Sequence, residues 1–126
     1  MAVIYPVALR NTRLTAVVTA AGSAAKINLY NGTRPANGGE ITGGNTLIAE
    51  LVADTTFAAV DAGVLTANAI TRDNEANANG TPTFARILTS ADAWVADIDT
   101  PGFPACTIGE PVEISALTVT DANFDA

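Results

Sequence analysis

Hydrophobic and polar positions alternate in short runs along most of the chain, and clusters of Gly, Asn, Asp and Pro separate the runs. Alternation with a period of two residues is typical of strands that bury one face. The pattern predicts strands at 26–30, 47–52, 57–60, 64–70, 83–88 and 94–98, a short one at 106–108 and a long one at 112–120. In the long strand, Val112, Ile114, Ala116 and Thr118 are expected to share one face.

The segment before the first strand follows a different pattern. Residues 1–8 are apolar, and Pro6 restricts the residue before it to extended geometry. Asn11 is a good helix N-cap, and Gly22 is placed to end a helix. We therefore predict a short helix over 12–21, with a strand as the alternative for this segment. The expected buried face of the helix is Leu14, Val17, Val18 and Ala21.

About seven short strands at near-regular spacing indicate a mainly β fold. We expect an antiparallel β-sandwich or open barrel with the short N-terminal helix packed on an edge or an open face. Turn signals at 61–63 and 90–92 predict two hairpins, and long polar loops are expected at 33–46 and 71–82. The expected organisation is an extended N-terminal arm at 1–10 and a single β-rich domain at 11–126.

The composition indicates a thin core. The chain has 126 residues, of which 25 are Ala and 17 are Thr, and it has only four Phe, two Tyr and one Trp. A chain of this length buries enough surface to fold without disulfides or metal. Small side chains fit between closely packed layers, and burial against neighbouring subunits would stabilise such a fold further. We therefore expect an oligomer or a component of an assembly.

The charge balance bears on the possible partners. The formal net charge is −7, from six Lys and Arg against thirteen Asp and Glu. Binding along a nucleic-acid backbone calls for clustered cations, and Arg10 and Arg13 form only a small basic spot. No apolar run is long enough to span a membrane, and residues 1–6 lack the features of a signal peptide. We expect neither nucleic acid nor membrane as a partner, and a protein that is made and stays in a cytoplasm.

The inventory of catalytic side chains is small. The chain has no His and a single Cys, so the Ser-His-Asp and Cys-His arrangements are excluded. Lys26 is the only Lys, and no phosphate-binding loop motif surrounds it. The chain also lacks the Cys and His side chains that a structural zinc site needs. We expect no enzyme, no cofactor and no metal, and we interpret Cys106 as a small buried hydrophobe.

Two acidic patterns have competing interpretations. Asp97 and Asp99 would point to the same face of a strand end, where a glycosidase-type acid/base pair is conceivable. Protection of an exposed strand edge by charge is the favoured interpretation. Residues 73–80 look like a calcium loop, but Ala78 stands where the sharp-turn Gly belongs and Phe84 where the bidentate Glu belongs. A polar loop is therefore favoured there.

Trp94 and Phe84 are expected to face each other across the second hairpin. Two such rings could form a sugar-stacking platform. Aromatic side chains more often anchor a core or an interface, and that interpretation is favoured.

Several stretches resemble a known family. The order of a helix, the run Lys26–Pro35 (KINLYNGTRP), a Gly-rich loop and Leu47–Leu51 resembles small virion proteins of tailed bacteriophages and prophages. The resemblance continues through Gly63–Ile70 and Gly80–Ile87 and ends in the alternating run Val112–Thr120. These motifs are structural rather than catalytic. In such proteins a Trp often precedes the Arg-Ile pair, whereas this chain has Phe84-Ala85 there.

The resemblance implies a non-enzymatic structural role in a phage particle. The first expectation is a capsid decoration, or cement, protein that binds the outer head surface and stabilises the shell by bridging capsomers. Its partners would be the major capsid protein and copies of itself in a homotrimer, and its location the virion, assembled in the host cytoplasm. A tail, neck or baseplate component is the alternative. A carbohydrate-binding adhesion module is an alternative of another class.

Two segments are the expected contacts in such a particle, the apolar arm at 2–9 and the loop at 31–46. The arm is apolar and is followed by Arg10, and the loop is Gly-rich and contains Arg34. The candidate interface residues are Val3, Ile4, Tyr5, Arg10, Arg34 and Pro35.

Overall fold

A computed structural model describes residues 2–121 and confirms a mainly β, sandwich-like fold with one helix. In chain order the elements are α1 (Val7–Ala21), β1 (Lys26–Tyr30), a 3-10 turn (Ala36–Gly38), β2 (Leu47–Val52), β3 (Ala58–Asp61), β4 (Val64–Ala67), β5 (Phe84–Leu88), β6 (Trp94–Asp99) and β7 (Thr118–Thr120).

The strands form two antiparallel sheets. The first has four strands in the order β2-β1-β5-β6, and the second has three in the order β3-β4-β7. Both predicted hairpins are present, β3 with β4 and β5 with β6. Helix α1 packs mainly against β3 and β4. The edge strands of the first sheet are β2 and β6.

One face of β1 lines the main core. Ile27 and Leu29 are fully buried, and they pack with Phe57 and Leu65 and with Leu14 of the helix. Seven of the sixteen buried residues in this described cluster are Ala, at positions 21, 25, 49, 53, 58, 76 and 85. The core is therefore rich in small side chains, as the composition predicts.

The helix begins earlier than predicted. It starts at Val7 rather than Thr12, so residues 7–10, assigned to the extended arm, are helical and the extended segment ends at Pro6. Pro6 occupies the N-cap position, where an N–H group is not needed, and its carbonyl accepts from the next turn. Asn11 is not the cap. Its Oδ1 accepts instead from the backbone N–H of Gly63 at 2.7 Å.

The helix face and its end are as predicted. Leu14 and Ala21 are buried, and Val17 and Val18 pack on the core. Gly22 ends the helix with φ 70° and ψ −158°, a conformation that is open mainly to glycine.

The prediction of one long strand at 112–120 is wrong. Val112 forms a single bridge with Asp73, the chain bends at Ser115, and only Thr118–Thr120 pair with β4. The more buried positions before the bend are 112 and 114, and those after it are 117 and 119. One extra residue at the bend therefore reverses the face that the alternation assigned to Thr118, because side chains in a strand alternate with a period of two.

Two further details differ from the prediction. The segment at 106–108 forms only one bridge, between Cys106 and Gly80. In the second hairpin Phe84 is opposite Asp99 and Trp94 is opposite Leu88, so the two aromatic rings do not face each other. Phe84 stacks instead on Tyr30, with ring centroids 5.4 Å apart.

The core assignment predicts a stability difference between two truncations. Leu65→Ala should lower the free energy of unfolding by about 2–5 kcal/mol, because it leaves a cavity under the three-stranded sheet. Val52→Ala, at a position 41% exposed, should cost less than about 1 kcal/mol. Urea denaturation followed by circular dichroism measures both, and equal losses would contradict this packing.

Candidate functional site

The loop at 31–46, which the sequence singles out, lies over the face of the four-stranded sheet opposite the main core. Four polar residues form one row across that face, one from each strand. The row is Glu50, Asn28, Arg86 and Asp97, in the order β2-β1-β5-β6. Beside the row lies the Tyr30–Phe84 stack, which is buried although it does not belong to the main core.

Arg86 and Asp97 form a buried bidentate ion pair. The guanidinium donates from Nε to Asp97 Oδ1 at 2.8 Å and from Nη2 to Oδ2 at 2.9 Å. Only 7% of the Arg86 side chain and 4% of the Asp97 side chain are exposed. Arg86 Nη1 donates to the carbonyl of Gly39 at 2.8 Å. Arg86 therefore binds the loop directly, through the backbone carbonyl of Gly39.

Trp94 gives the loop a second attachment. Its indole Nε1 donates to Asp97 Oδ1 at 3.2 Å. The ring lies so close to Gly38 that a Cβ atom there would come within 2.6 Å of it. Gly38 also has φ +67°, so this position requires glycine for two separate reasons. Trp94 itself remains 49% exposed.

Arg34 makes the outer attachment of the loop. Its Nε donates to Asp99 Oδ1 at 2.8 Å, and both side chains are exposed. The hydrogen bond and the charge of Asp99 raise the pKa of Arg34. Pro35 follows with φ −60° and caps the 3-10 turn. Asp97 and Asp99 thus each pair with an arginine, and Asp99 ends an edge strand.

Hydrogen bonds within the loop fix its two ends together. The buried Asn45 donates from Nδ2 to the carbonyls of Asn31 and Thr33, and its Oδ1 accepts from Thr42. Asn31 Oδ1 in turn accepts from the backbone of Thr46 at 2.7 Å. The loop is therefore a folded unit over the sheet rather than a loose connection.

The N-terminal candidates lie in a different neighbourhood. Val3 and Tyr5 are half-buried, and Ile4 is 66% exposed. The Arg13 guanidinium lies 4.9 Å from the centre of the Tyr5 ring. Arg10 packs against the turn between β3 and β4 and donates to the carbonyl of Asp121. Thus Arg10 contacts the β3–β4 turn, whereas Arg34 contacts β6 and Pro35 caps the 3-10 turn of the loop.

The electrostatics of the surface are dominated by carboxylates. All six cations of the chain lie within the described residues, and five of them form ion pairs. The pairs are Arg13–Asp121, Lys26–Asp92, Arg34–Asp99, Arg72–Glu113 and Arg86–Asp97. Arg34, one of the few cations of the chain, is therefore neutralised by Asp99 at the rim of the loop.

Other chemistry at the described residues is limited. Across residues 2–121, no group of three or more His, Cys, Asp or Glu side chains is arranged to hold a metal ion. In the loop that looks like a calcium site, Asp73 instead accepts from the backbone of Glu50 and of Glu75.

Burial raises the pKa of the Cys106 thiol, which disfavours the nucleophilic thiolate. Within the described part, no helix is both long and apolar enough to cross a membrane.

Sequence reasoning missed Arg86 and Gly38 as residues that organise the site. An arginine within an otherwise apolar strand was a usable signal, because a buried charge requires a partner. The partner was harder to assign. A regular hairpin centred on Ala91 would pair Arg86 with Ala96, but an irregularity between Ile87 and Leu88 shifts the register and brings Asp97 opposite.

Comparisons with known proteins give no family. No protein-family model matches the chain, and neither a curated protein nor a solved structure matches it.

The ion pair predicts a characteristic pattern of stability changes. Arg86→Met alone should lower the free energy of unfolding by about 3–5 kcal/mol, because it leaves the Asp97 carboxylate buried without a partner. The double variant Arg86→Met with Asp97→Leu should recover much of that loss. Urea denaturation of both variants measures the difference, and additive losses would contradict a coupled buried pair.

The contact between Gly38 and Trp94 predicts a spectroscopic change. Gly38→Ala should displace the indole and shift the emission of this single tryptophan to longer wavelength, because the added Cβ cannot fit. Gly43→Ala is the matched control in the same loop, since its Cβ would meet nothing within 4 Å. Unchanged emission in Gly38→Ala would show that the loop does not rest on Trp94.

Proposed function

We propose that the chain is a non-enzymatic structural protein of a tailed-phage particle. In this role it is a capsid decoration protein that binds the outer head surface and stabilises the shell by bridging capsomers. The major capsid protein is its partner, and the virion, assembled in the host cytoplasm, is its location. The proposal starts from the resemblance carried by Lys26–Pro35 and the stretches that follow it.

The observation that supports this role best is the preorganised loop at 31–46. Its backbone is bound to the buried Arg86–Asp97 pair, and its Gly38 is fitted under Trp94. A loop that is already ordered loses little conformational entropy on binding, which favours a binding role. Its outer rim, with the paired Arg34 and Asp99, is exposed and available for contact with a shell.

The exposed aliphatic side chains near the start of the helix support a second contact. Ile4, Val7 and Leu9 are 66%, 44% and 41% exposed. Three exposed large apolar side chains within six residues give this end of the helix apolar surface that an assembly contact would bury. The acidic balance of the rest of the surface keeps the unassembled protein in solution and disfavours non-specific contacts.

Binding to undecorated, expanded heads tests the proposal. Purified protein should co-sediment with the heads and saturate at a fixed number of copies per capsomer. Arg34→Glu should weaken this binding tenfold or more, because the exposed loop rim would carry Glu beside Asp99. Lys26→Glu is the matched control, since it makes the same charge change at the other end of β1.

Three outcomes would count against the decoration role. Equal binding by wild type and Arg34→Glu would show that the loop rim is not part of the interface with the shell. Co-sedimentation with isolated tails but not with heads would favour the tail, neck or baseplate alternative. Binding to glycans that is lost in Trp94→Ala would favour the carbohydrate-binding module, because half of that ring is exposed.

A further inference from the structure

Three Asn-Gly steps occur in the chain, at 31–32, 37–38 and 79–80. An asparagine before glycine is open to attack from within the chain, because glycine has no Cβ to shield its backbone nitrogen. That nitrogen bonds to the side-chain Cγ of the asparagine, the bond from Cγ to Nδ2 breaks, and ammonia leaves. Water then opens the resulting succinimide at either carbonyl, which gives aspartate or isoaspartate. Since the reaction needs only water, the local structure decides which step reacts.

The step at 31–32 is held on both of its residues. Asn31 Oδ1 accepts from the backbone N–H of Thr46 at 2.7 Å, and the Asn31 N–H donates to the Thr46 carbonyl at 3.2 Å. The Gly32 carbonyl accepts from Thr83 Oγ1 at 2.6 Å. Rotation of the Asn31 side chain towards the Gly32 nitrogen would break the contacts that join the two ends of the loop at 31–46.

The step at 79–80 is held at both reacting groups. Asn79 Oδ1 accepts from the backbone N–H of Ile108 at 2.8 Å. The nitrogen that would attack, that of Gly80, donates to the Cys106 carbonyl at 3.1 Å within an antiparallel bridge. Both hydrogen bonds must break before a ring can close at this step.

The step at 37–38 has the least protection of the three. Asn37 is exposed, and its side-chain amide has no hydrogen-bond partner within residues 2–121. Its backbone is left-handed, with φ 53° and ψ 40°, inside a single 3-10 turn. Hydrogen bonds in 3-10 turns have poor geometry, and exposed turns open locally at low cost. Ring closure at Asn37 therefore requires the turn to open, but it breaks no side-chain hydrogen bond of the asparagine.

The isoaspartate product would change the contact between the loop and Trp94. Isoaspartate carries one additional carbon in the backbone, directly before Gly38. Gly38 already lies so close to the Trp94 ring that an added Cβ atom would come within 2.6 Å of it. A backbone lengthened at this point therefore cannot keep Gly38 in its place against the ring.

We propose that Asn37 is a self-modification site, at which deamidation to isoaspartate releases the loop at 31–46 from Trp94. For head binding, the released loop would lose the ordered shape that we assign to the shell contact, so unassembled protein would lose binding competence with age. That consequence rests on the proposed function, whereas the site and the release are tested without heads.

Mass spectrometry of aged protein tests the site. The purified full chain is held in warm, mildly alkaline buffer, and tandem spectra of its proteolytic peptides place each exchange of NH₂ for OH. Asn37 should react at least about tenfold faster than Asn31 and Asn79, because fewer hydrogen bonds must break. The matched control is the same chain in urea, where the three steps should react at similar rates. Equal rates in the folded chain, or a difference that persists in urea, would overturn the inference.

Tryptophan emission tests the release of the loop. Aged wild type should emit at longer wavelength in proportion to its isoaspartate content, because the Trp94 ring loses its contact with Gly38. Asn37→Asp is the matched variant, since Asp tolerates left-handed backbone and carries the charge of the product without the added carbon. Freshly purified Asn37→Asp should emit like fresh wild type. Unchanged emission in modified wild type, or the same shift in fresh Asn37→Asp, would overturn the inference.

Head binding by the modified protein separates this inference from the proposed function. Modified protein that shows both the mass change and the emission change should bind heads more weakly than fresh protein. If it shows both changes and binds heads as fresh protein does, the docking role of the loop is contradicted while the modification site stands. If fresh protein binds heads but Asn37 does not react, only the modification site is contradicted.

Discussion

The buried ion pair between Arg86 and Asp97 is the interaction on which the outer face of the four-stranded sheet depends. Charges at this depth are tolerated only when their hydrogen-bonding groups are satisfied. Asp97 takes two bonds from Arg86 and one from Trp94, and the guanidinium needs a further acceptor, which the Gly39 carbonyl supplies. Because the buried Arg86 needs this acceptor, the hydrogen bond to Gly39 determines where the loop at 31–46 lies.

This arrangement explains how a chain with few large side chains can hold a sixteen-residue loop in one conformation. A main core rich in Ala offers little apolar surface to spare, so the loop is held by hydrogen bonds, a ring-to-glycine contact and an ion pair. Such contacts are directional, and they define a shape more narrowly than apolar burial does. A loop with a defined shape suits the docking role that we propose for it.

The alternating pattern predicted most strands of the fold, because a period of two depends only on neighbouring residues. The prediction failed where a single residue shifts the alternation of side chains between the two faces of a strand. The bend at Ser115 divides the run at 112–120, and the irregularity near Leu88 brings Asp97 opposite Arg86. Neither has a clear signal in the sequence, since no Gly or Pro marks them. The helix start was missed because Asn11 satisfies the rule for a cap while bonding elsewhere.

We propose that the ordered loop over the Arg86–Asp97 pair faces the shell of a phage head. A cryo-EM reconstruction of undecorated heads incubated with the protein tests it most directly. We expect density for the β-domain on the outer head surface, with residues 31–46 in contact with the shell. Heads without added density, or a bound domain whose loop at 31–46 points to solvent, would contradict it.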